Sequence, residues 1–429
     1  MSRLTRLGSM TAGVAGNMAI NSLTQLGRGQ RPKMRDLLLT PGNIGRITEQ
    51  LARMRGAAMK IGQLISMDGG EVLPPELAGI MARLRADAHI MPAAQLKKML
   101  DTNWPGGWLR AFERFDVHPV AAASIGQVHR ARLKDGQELA IKVQYPGVAQ
   151  SIDSDVANVG ALIRMSGLLP AGFDLAPYLS EGRRQLHEET DYLREGQHLQ
   201  QFRTLLAADH RFELPQLVET WTTPAILAMT FAQGHPIEDL RTAPQDQRDT
   251  VACRLIDLLL RELFCFGKMQ TDPNFANYLY NPASQRIVLL DFGATRRIDP
   301  QVSDLYRRLL RAGLSQDAKT LRAVAHDLGF VGAATRAEHG DRIVRMMQMI
   351  FDEISGRPLF DFAATDLNRR MQAEGTALAK DGFVPPPLPI DVLYLQRKIG
   401  GMFLLARRLG ARLPLRDMLL SGLCNGPEG

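Results

Sequence analysis

The sequence predicts an α+β fold in which a helical segment leads into a small antiparallel sheet and a second, mainly helical half follows. Three observations predict it. Ile44, Ile47, Leu51, Met54, Ala58, Ile61 and Ile65 recur at alternating three- and four-residue steps, the period of one buried helical face. From Phe112 the period drops to two, and Asp135-Gly136 between the runs 128–133 and 138–143 is a hairpin signal. After Gly234-His235-Pro236, a candidate hinge, helical patterns return at 250–266, 300–312, 341–354 and 390–409, with Pro385-Pro386-Pro387 the clearest break.

Four segments follow from this pattern: a basic stretch at 1–30, a helical extension at 31–110, a sheet-containing lobe at 111–232 and a helical lobe at 233–429. With 429 residues, 45% hydrophobic and 23% charged, the chain can bury a sizeable core. Its three cysteines include no CxxC, which argues against a disulfide framework or a zinc site. Of the net charge of +7, Arg3, Arg6, Arg28, Arg31, Lys33 and Arg35 precede the first acid, a pattern that suits an anionic surface, membrane or nucleic acid. No apolar run approaches the ~20 residues of a membrane span. The Leu7–Leu26 stretch, rich in Gly, Ser, Thr and Asn, reads either as a membrane-surface segment or as a loosely ordered tail, not as a secretory signal.

In the extension, the helix over 43–67 places Lys60 and Gln63 on one side, and Gly45, Gly56 and Gly62 weaken it. Pro74-Pro75 opens a second helix over 76–88 and Pro92 a third through Met99. Ala121-Ala122-Ala123-Ser124-Ile125-Gly126 links two candidate strands with small residues that let backbone approach a phosphate. The next strand carries Leu139-Ala140-Ile141-Lys142, whose lysine suits nucleotide phosphates, although a strand ending in Lys is more often a solvated edge. Helices are predicted over 147–168 and 176–208. In the second, Glu188, Asp191 and Glu195 fall at helical spacing, either a hydrated acidic face or a source of a partner for Lys142. Strands over 216–222 and 225–231 flank Thr223-Pro224.

The chemistry concentrates between Asp272 and Gly293. Tyr278-Leu279-Tyr280 and Arg286–Leu290 read as a strand pair around Asn281-Pro282-Ala283-Ser284, so Asn277 and Asp291 lie side by side at its open end. One carboxylate and one amide oxygen facing a common point make a Mg²⁺ site when phosphates complete the shell. Asp272, five residues before Asn277, reaches the same point as base or orienter. Asp, then Asn five residues on, then Asp-Phe-Gly is the order of a protein kinase, against the plainer reading of turn residues in solvated loops. After Gly293 there is no Ala-Pro-Glu and no loop long enough to dock a peptide.

Taken together, the motifs resemble the UbiB/AarF/ADCK family of atypical kinase-like proteins, over about 56–297 and more weakly beyond. The carriers are Lys60-Ile61-Gly62-Gln63 (its KxGQ), the alanine-rich loop Ala121 to Gln127, Lys142, Glu189-Thr190-Asp191 (its ExD), Glu195, Asp272, Asn277 and Asp291. Thr-Asp-Pro-Asn-Phe-Ala-Asn resembles the coenzyme-Q-associated branch. The resemblance implies a protein-kinase-like two-lobe fold, with a small antiparallel-sheet N-lobe, a helical C-lobe and the extension. It implies an ATP-binding, Mg²⁺-dependent kinase-like ATPase supporting ubiquinone or related isoprenoid-lipid biosynthesis, not one phosphorylating proteins. A small-molecule kinase and a nucleotide-regulated scaffold for lipid-modifying enzymes are the alternatives.

Residue by residue, the family implies that Lys142 holds phosphates and pairs with Glu195, that Asn277 and Asp291 bind Mg²⁺ and that Asp272 is the base. Lys60 and Gln63, facing Glu189 and Asp191, would occupy the position of a protein substrate. Ala121, Ala122, Ala123, Ser124 and Gly126 would line the nucleotide. Implied partners are nucleotide, a lipid or quinone precursor, an anionic membrane surface and lipid-biosynthesis proteins, not nucleic acid. The implied location is cytoplasmic or peripheral on the inner face of a membrane, and mitochondrial in a eukaryote. Met229-Thr230-Phe231 departs from the family, which often has Glu where Thr230 stands.

Overall fold

A computed structural model describes residues 51, 54–67, 90–123, 125–166 and 174–424. The basic segment 1–30, the start of the first helix, the helix over 76–88 and Ser124 lie outside the described residues. The chain forms two compact units, residues 1–193 with 218–228, and residues 194–217 with 229–429.

In the first unit, α1 (Arg55–Met67) is followed by α2 (Ala93–Asn103), the third helix of the predicted extension. Strands β1 (Phe112–Phe115), β2 (Ala121–Ala122), β3 (Gly126–Leu133) and β4 (Glu138–Gln144) come next. The Asp135-Gly136 hairpin joins β3 to β4 in register from Gly126↔Gln144 to Arg132↔Glu138, and Gly136 takes the left-handed φ of +90° that this turn requires. Helices α3 (Val148–Ser166) and α4 (Ala176–Glu189) follow. α5 (Tyr192–Leu205) and β5 (Phe212–Glu213), which fall almost wholly in the second unit, come next, and β6 (Ile226–Thr230) then completes a sheet in the order β1-β3-β4-β6, with β2 paired to β3.

All three tryptophans of the chain lie under this sheet. Trp104 stacks on Phe112 (centroids 5.4 Å apart) and meets Trp108 and Trp221 edge-on, among Leu139, Ile141, Val143 and Ile226. The indole of Trp104 donates to the Trp221 carbonyl (3.0 Å) and that of Trp108 to Asp101 (2.9 Å), so neither buried N–H is lost. Helices α1 and α4 approach closely because residue 182 has no side chain: a Cβ there would fall 2.2 Å from Ile61 Cδ1.

Two expectations are corrected here. The stretch 176–208 is two helices, not one. At Thr190 the hydroxyl donates to the His187 carbonyl (2.9 Å), a local bond that competes with helix continuation, and the chain restarts at Tyr192. Glu188, Asp191 and Glu195 therefore do not share a helical face. The segment 216–222 is not a strand; it makes a bridge at Leu217↔Met229 and a 3-10 turn over Glu219–Trp221, where Thr222 Oγ1 donates to the Val218 carbonyl (2.9 Å).

The second unit holds β7 (His235–Pro236), α6 (Gln245–Arg261), β8 (Lys268–Gln270), β9 (Tyr278–Asn281), β10 (Arg286–Leu289) and β11 (Thr295–Arg297). Its sheet runs β5-β10-β9-β7, and β8 pairs with β11 beside it. Helices α7 (Pro300–Leu314), α8 (Ala318–Asp327) and α9 (Ala337–Ser355), strand β12 (Phe360–Asp361), α10 (Leu367–Lys380), α11 (Ile390–Leu409), β13 (Arg412–Leu413) and α12 (Leu415–Cys424) make up the remainder. Among the described residues, no helix is long and apolar enough to cross a membrane.

Asp209 ties the sheet to α6. It accepts from Arg211 (2.8 and 2.9 Å) and pairs with Arg261, and Arg211 also reaches Asp257 (2.6 Å). Burial alone would raise the Asp209 pKa, but the hydrogen bonds from Arg211 and Arg261 outweigh it and hold the carboxyl well below the usual carboxylate range. A depressed folded-state pKa stabilises above the unfolded value, about 3.9, and that stability is lost as pH falls toward the folded value. Asp209→Asn is accordingly expected to cost about 2–3 kcal/mol at pH 7, because it leaves two arginines facing a neutral amide, and about 1 kcal/mol less at pH 3, about one pH unit below the unfolded pKa. Urea unfolding at the two pH values checks this; an equal cost at both would refute it.

Candidate functional site

In the second unit the β9–β10 hairpin forms as the spacing predicts, with Tyr278 opposite Leu289 and Asn281 opposite Arg286. Asn281 Oδ1 accepts from the Ala283 N–H (3.1 Å) to shape the turn. At the open end Leu290 N–H donates to the Asn277 carbonyl (3.0 Å), which brings the residue before β9 level with the one before Asp291. Asn277 Nδ2 donates to Asp272 Oδ2 (3.2 Å), so the Asn277 amide oxygen is the atom left to a cation.

Asp291 Oδ1 accepts from the Gly293 N–H (2.9 Å), the bond that tightens Asp-Phe-Gly into a turn. Phe292, buried, packs on Phe202 of α5 (4.9 Å between centroids). From α5, Glu195 (3% exposed) brings its carboxylate to the same turn: a Cβ at Gly293 would meet Glu195 Oε2 at 3.2 Å and Asp291 Oδ1 at 3.3 Å. Glycine thus lets two carboxylates converge on one turn. Arg194, the residue before Glu195, donates to the Gly293 and Thr295 carbonyls (3.2 and 3.0 Å) and fixes α5 against that turn.

In the first unit, α1 directs Lys60 (8% exposed) onto Glu189 at the end of α4, where the two form an ion pair. Gln63 lies one turn on in α1, with its side chain outside the described part. Asp191, in the break between α4 and α5, is exposed. Lys142 stands on β4 opposite Val128, its Nζ 5.2 Å from the Tyr192 ring centroid. Ala121 and Ala122 form β2, paired with Val128 and Gln127, and Ala123 N–H donates to the Gly126 carbonyl (2.8 Å). Gly126 has no room for a side chain, since a Cβ would lie 2.3 Å from the Val143 carbonyl oxygen.

Two features of this region are not visible in the sequence. Arg397 of α11 pairs with Asp272 (Nη2 to Oδ1 2.7 Å), so the Asp272 carboxylate is held by a guanidinium from 125 residues on. A buried relay also stiffens the alanine-rich loop. His129 Nδ1 donates to the Asp116 carbonyl (2.8 Å), Gln127 Nε2 donates to His129 Nε2 (2.8 Å), and Gln127 Oε1 accepts from the Met91 N–H (2.9 Å). Since a carbonyl only accepts, the ring is neutral with its proton on Nδ1. Burial lowers the His129 pKa, against the opposing Asp116 carbonyl, in agreement with that tautomer.

Comparison with known proteins decides the family: residues 83–325 match the model of the ABC1 atypical kinase-like domain. The chain belongs to the ABC1 family. It is 37% identical over 415 residues to the atypical kinase COQ8, mitochondrial, of Saccharomyces cerevisiae, covering 96% of this chain and 82% of that one. Against the atypical kinase COQ8B, mitochondrial, of Rattus norvegicus the identity is 36%, over 97% and 80%. The probable protein kinase UbiB of Pseudomonas fluorescens is 26% identical, over 71% and 58%. Among solved structures, Rv3197 of Mycobacterium tuberculosis, in complex with erythromycin, superposes with a TM-score of 0.61 at 23% identity, covering 86% of this chain and 92% of that one. That likeness concerns the fold alone, which is the protein-kinase-like α+β fold expected from the motif order. α11 with Arg397 lies beyond the stretch that the ABC1 model matches.

Proposed function

We propose that this ABC1-family chain is an ATP-binding, Mg²⁺-dependent kinase-like ATPase that supports ubiquinone or related isoprenoid-lipid biosynthesis and does not phosphorylate proteins. The observation that carries the reading is the route of the chain on either side of Asp291. Before it, a closed hairpin sets Asn277 and Asp291 at one end with Asp272 beside them. After it, Thr295–Arg297 pairs at once with β8 and α7 begins at Pro300, which leaves no segment on which a peptide would lie. The donor set fits a hard divalent ion. A cation here would take the Asp291 carboxylate, the Asn277 amide oxygen and phosphate oxygens, as Mg²⁺ does. When bound, that ion would neutralise phosphate charge.

This chain's residues would divide the remaining work. Lys142 would hold the α- and β-phosphates with Glu195 as its orienting acid, Ala121–Gly126 would cover the nucleotide, and Asp272, kept in place by Arg397 and Asn277, would orient the attacking oxygen. Lys60, Gln63, Glu189 and Asp191 would occupy the acceptor side. The ligand beyond nucleotide would be a lipid or quinone precursor reached from an anionic membrane surface, in mitochondria for a eukaryotic host and on the cytoplasmic face otherwise. Lipid-biosynthesis proteins would be its partners.

The deciding experiment measures phosphate release from MgATP by the purified chain, with and without anionic liposomes, added proteins and hydroxyl-bearing lipids. Release without an acceptor, raised by liposomes, and no label on protein is expected. Transfer to a lipid with no release would replace this reading by a small-molecule kinase; binding without either would leave a scaffold.

A further inference from the structure

We infer that α11 is a template for the loop bearing Asp272, and that Lys398 and Gly401 are positioning residues which set that loop through its two ends and its proline. The inference rests on the catalytic reading of Asp272. The loop 271–277 runs from the end of β8 to the start of β9, so Gln270 and Tyr278 are the residues on either side of it. One buried ammonium holds both. Lys398 Nζ (residue 2% exposed) donates to Gln270 Oε1 at 3.1 Å and to Tyr278 Oη at 2.9 Å, and lies 3.6 Å from Glu262 Oε2. Glu262 in turn accepts the Gln270 backbone N–H on Oε1 (3.2 Å). Gln270 is therefore gripped by its side chain and its backbone at once.

Glu262 sits in a π-turn over Glu262–Phe266 that extends α6, a widening of the helix that recurs at functional sites. Burial pushes the Glu262 pKa up, and Lys398 opposes it. For Lys398, burial alone would lower the pKa, but Glu262 and Tyr278 outweigh that and the ammonium stays charged. One helical turn on, α11 meets the loop directly. A Cβ at Gly401 would lie 2.1 Å from Pro273 Cβ, so the helix backbone rests on the residue after Asp272. Arg397 on the same helix takes the Asp272 carboxylate. A buried ion pair gives little stability that well-packed apolar residues would not supply. What an apolar side chain at 398 cannot do is hold Gln270 and Tyr278 at fixed separation, and that separation sets where Asp272 and Asn277 stand.

The test uses the full chain with Lys398→Met/Glu262→Gln, which removes both buried charges together, and separately Gly401→Ala. Three readouts are taken: backbone hydrogen exchange over 271–277, affinity for MgATP by calorimetry, and kcat of phosphate release. Both variants are expected to keep the far-ultraviolet spectrum, to lose exchange protection at 271–277, to bind MgATP several-fold more weakly because Asn277 lies in the same loop, and to lose roughly ten- to a hundredfold in kcat, the usual consequence of misplacing a reacting group by an ångström. Wild-type protection and kcat in either folded variant overturns the inference. A uniform loss of protection across the unit, with kcat unchanged per folded molecule, also overturns it, since that marks a purely structural role. If wild type itself releases no phosphate, the function proposed above fails, and the exchange measurement still judges the template.

Discussion

Replacing Asp291 by asparagine is expected to abolish most of the stabilisation that MgATP confers, with little effect on the unliganded protein. The substitution keeps shape and keeps an oxygen where Asp291 Oδ1 accepts the Gly293 N–H at 2.9 Å, so the turn and the Phe292–Phe202 contact have no cause to change. What it removes is the full negative charge that Asp291 would supply to a cation beside the Asn277 amide oxygen. Nucleotide at a hundred times its Kd stabilises the folded state by about 2.7 kcal/mol, and a hundredfold weaker Kd leaves about 0.4. For a unit of this size that is a thermal shift of roughly 5–10 °C in wild type and about 1 °C in the variant. Calorimetric melting with and without MgATP reads it. Equal shifts in both proteins would remove Asp291 from the metal site. Asp272→Asn supplies the contrast: Asp272 is held by Arg397 and Asn277, so that variant should keep the thermal shift and lose turnover.

The parts of this site that local chemistry dictates could be read from sequence. The β9–β10 hairpin was legible because a short alternating run, an Asn-Pro turn and a second run leave one pairing, and α11 was legible over Ile390–Leu409 because its apolar residues repeat between Pro389 and Gly410. The break at Thr190 was not, since one hydroxyl bonded to the His187 carbonyl ends a helix whose apolar period continues through it. β5 and β11 span two and three residues, too few for any period to show. Arg397-Lys398 belongs to no motif of the sequence. It is the point where Asp272, Gln270 and Tyr278 are held from 120 to 128 residues away, and no spacing encodes such a contact. The same separation explains why the alanine-rich loop was recognised while its His129–Gln127–Met91 support was not: Met91 lies 36 residues before Gln127.

The Lys60–Glu189 pair carries the largest stability effect expected in the first unit. Lys60 is 8% exposed and its α1 neighbours Ile61 and Leu64 pack against Gly182 of α4, so the ion pair sits beside an apolar contact between the two helices. Lys60→Met would fill the lysine's volume and remove the ammonium from the Glu189 carboxylate in a largely buried position. Breaking one side of such a pair costs about 3–5 kcal/mol; the lower end is expected here because the Glu189 side chain keeps 16% of its exposure. Removing both partners, as in Lys60→Met/Glu189→Leu, should recover most of that loss, because neither half of the pair is then left unmatched. Denaturant unfolding of the two single variants and the double completes the cycle, and a coupling near zero would show that the contact contributes nothing in solution. The stabilised double variant then isolates function from folding. If Lys60 and Glu189 belong to the catalytic set, it folds and melts like wild type yet turns MgATP over at least tenfold more slowly, by the scale of a misplaced reacting group. Wild-type turnover in that variant would confine the pair to holding α1 on α4.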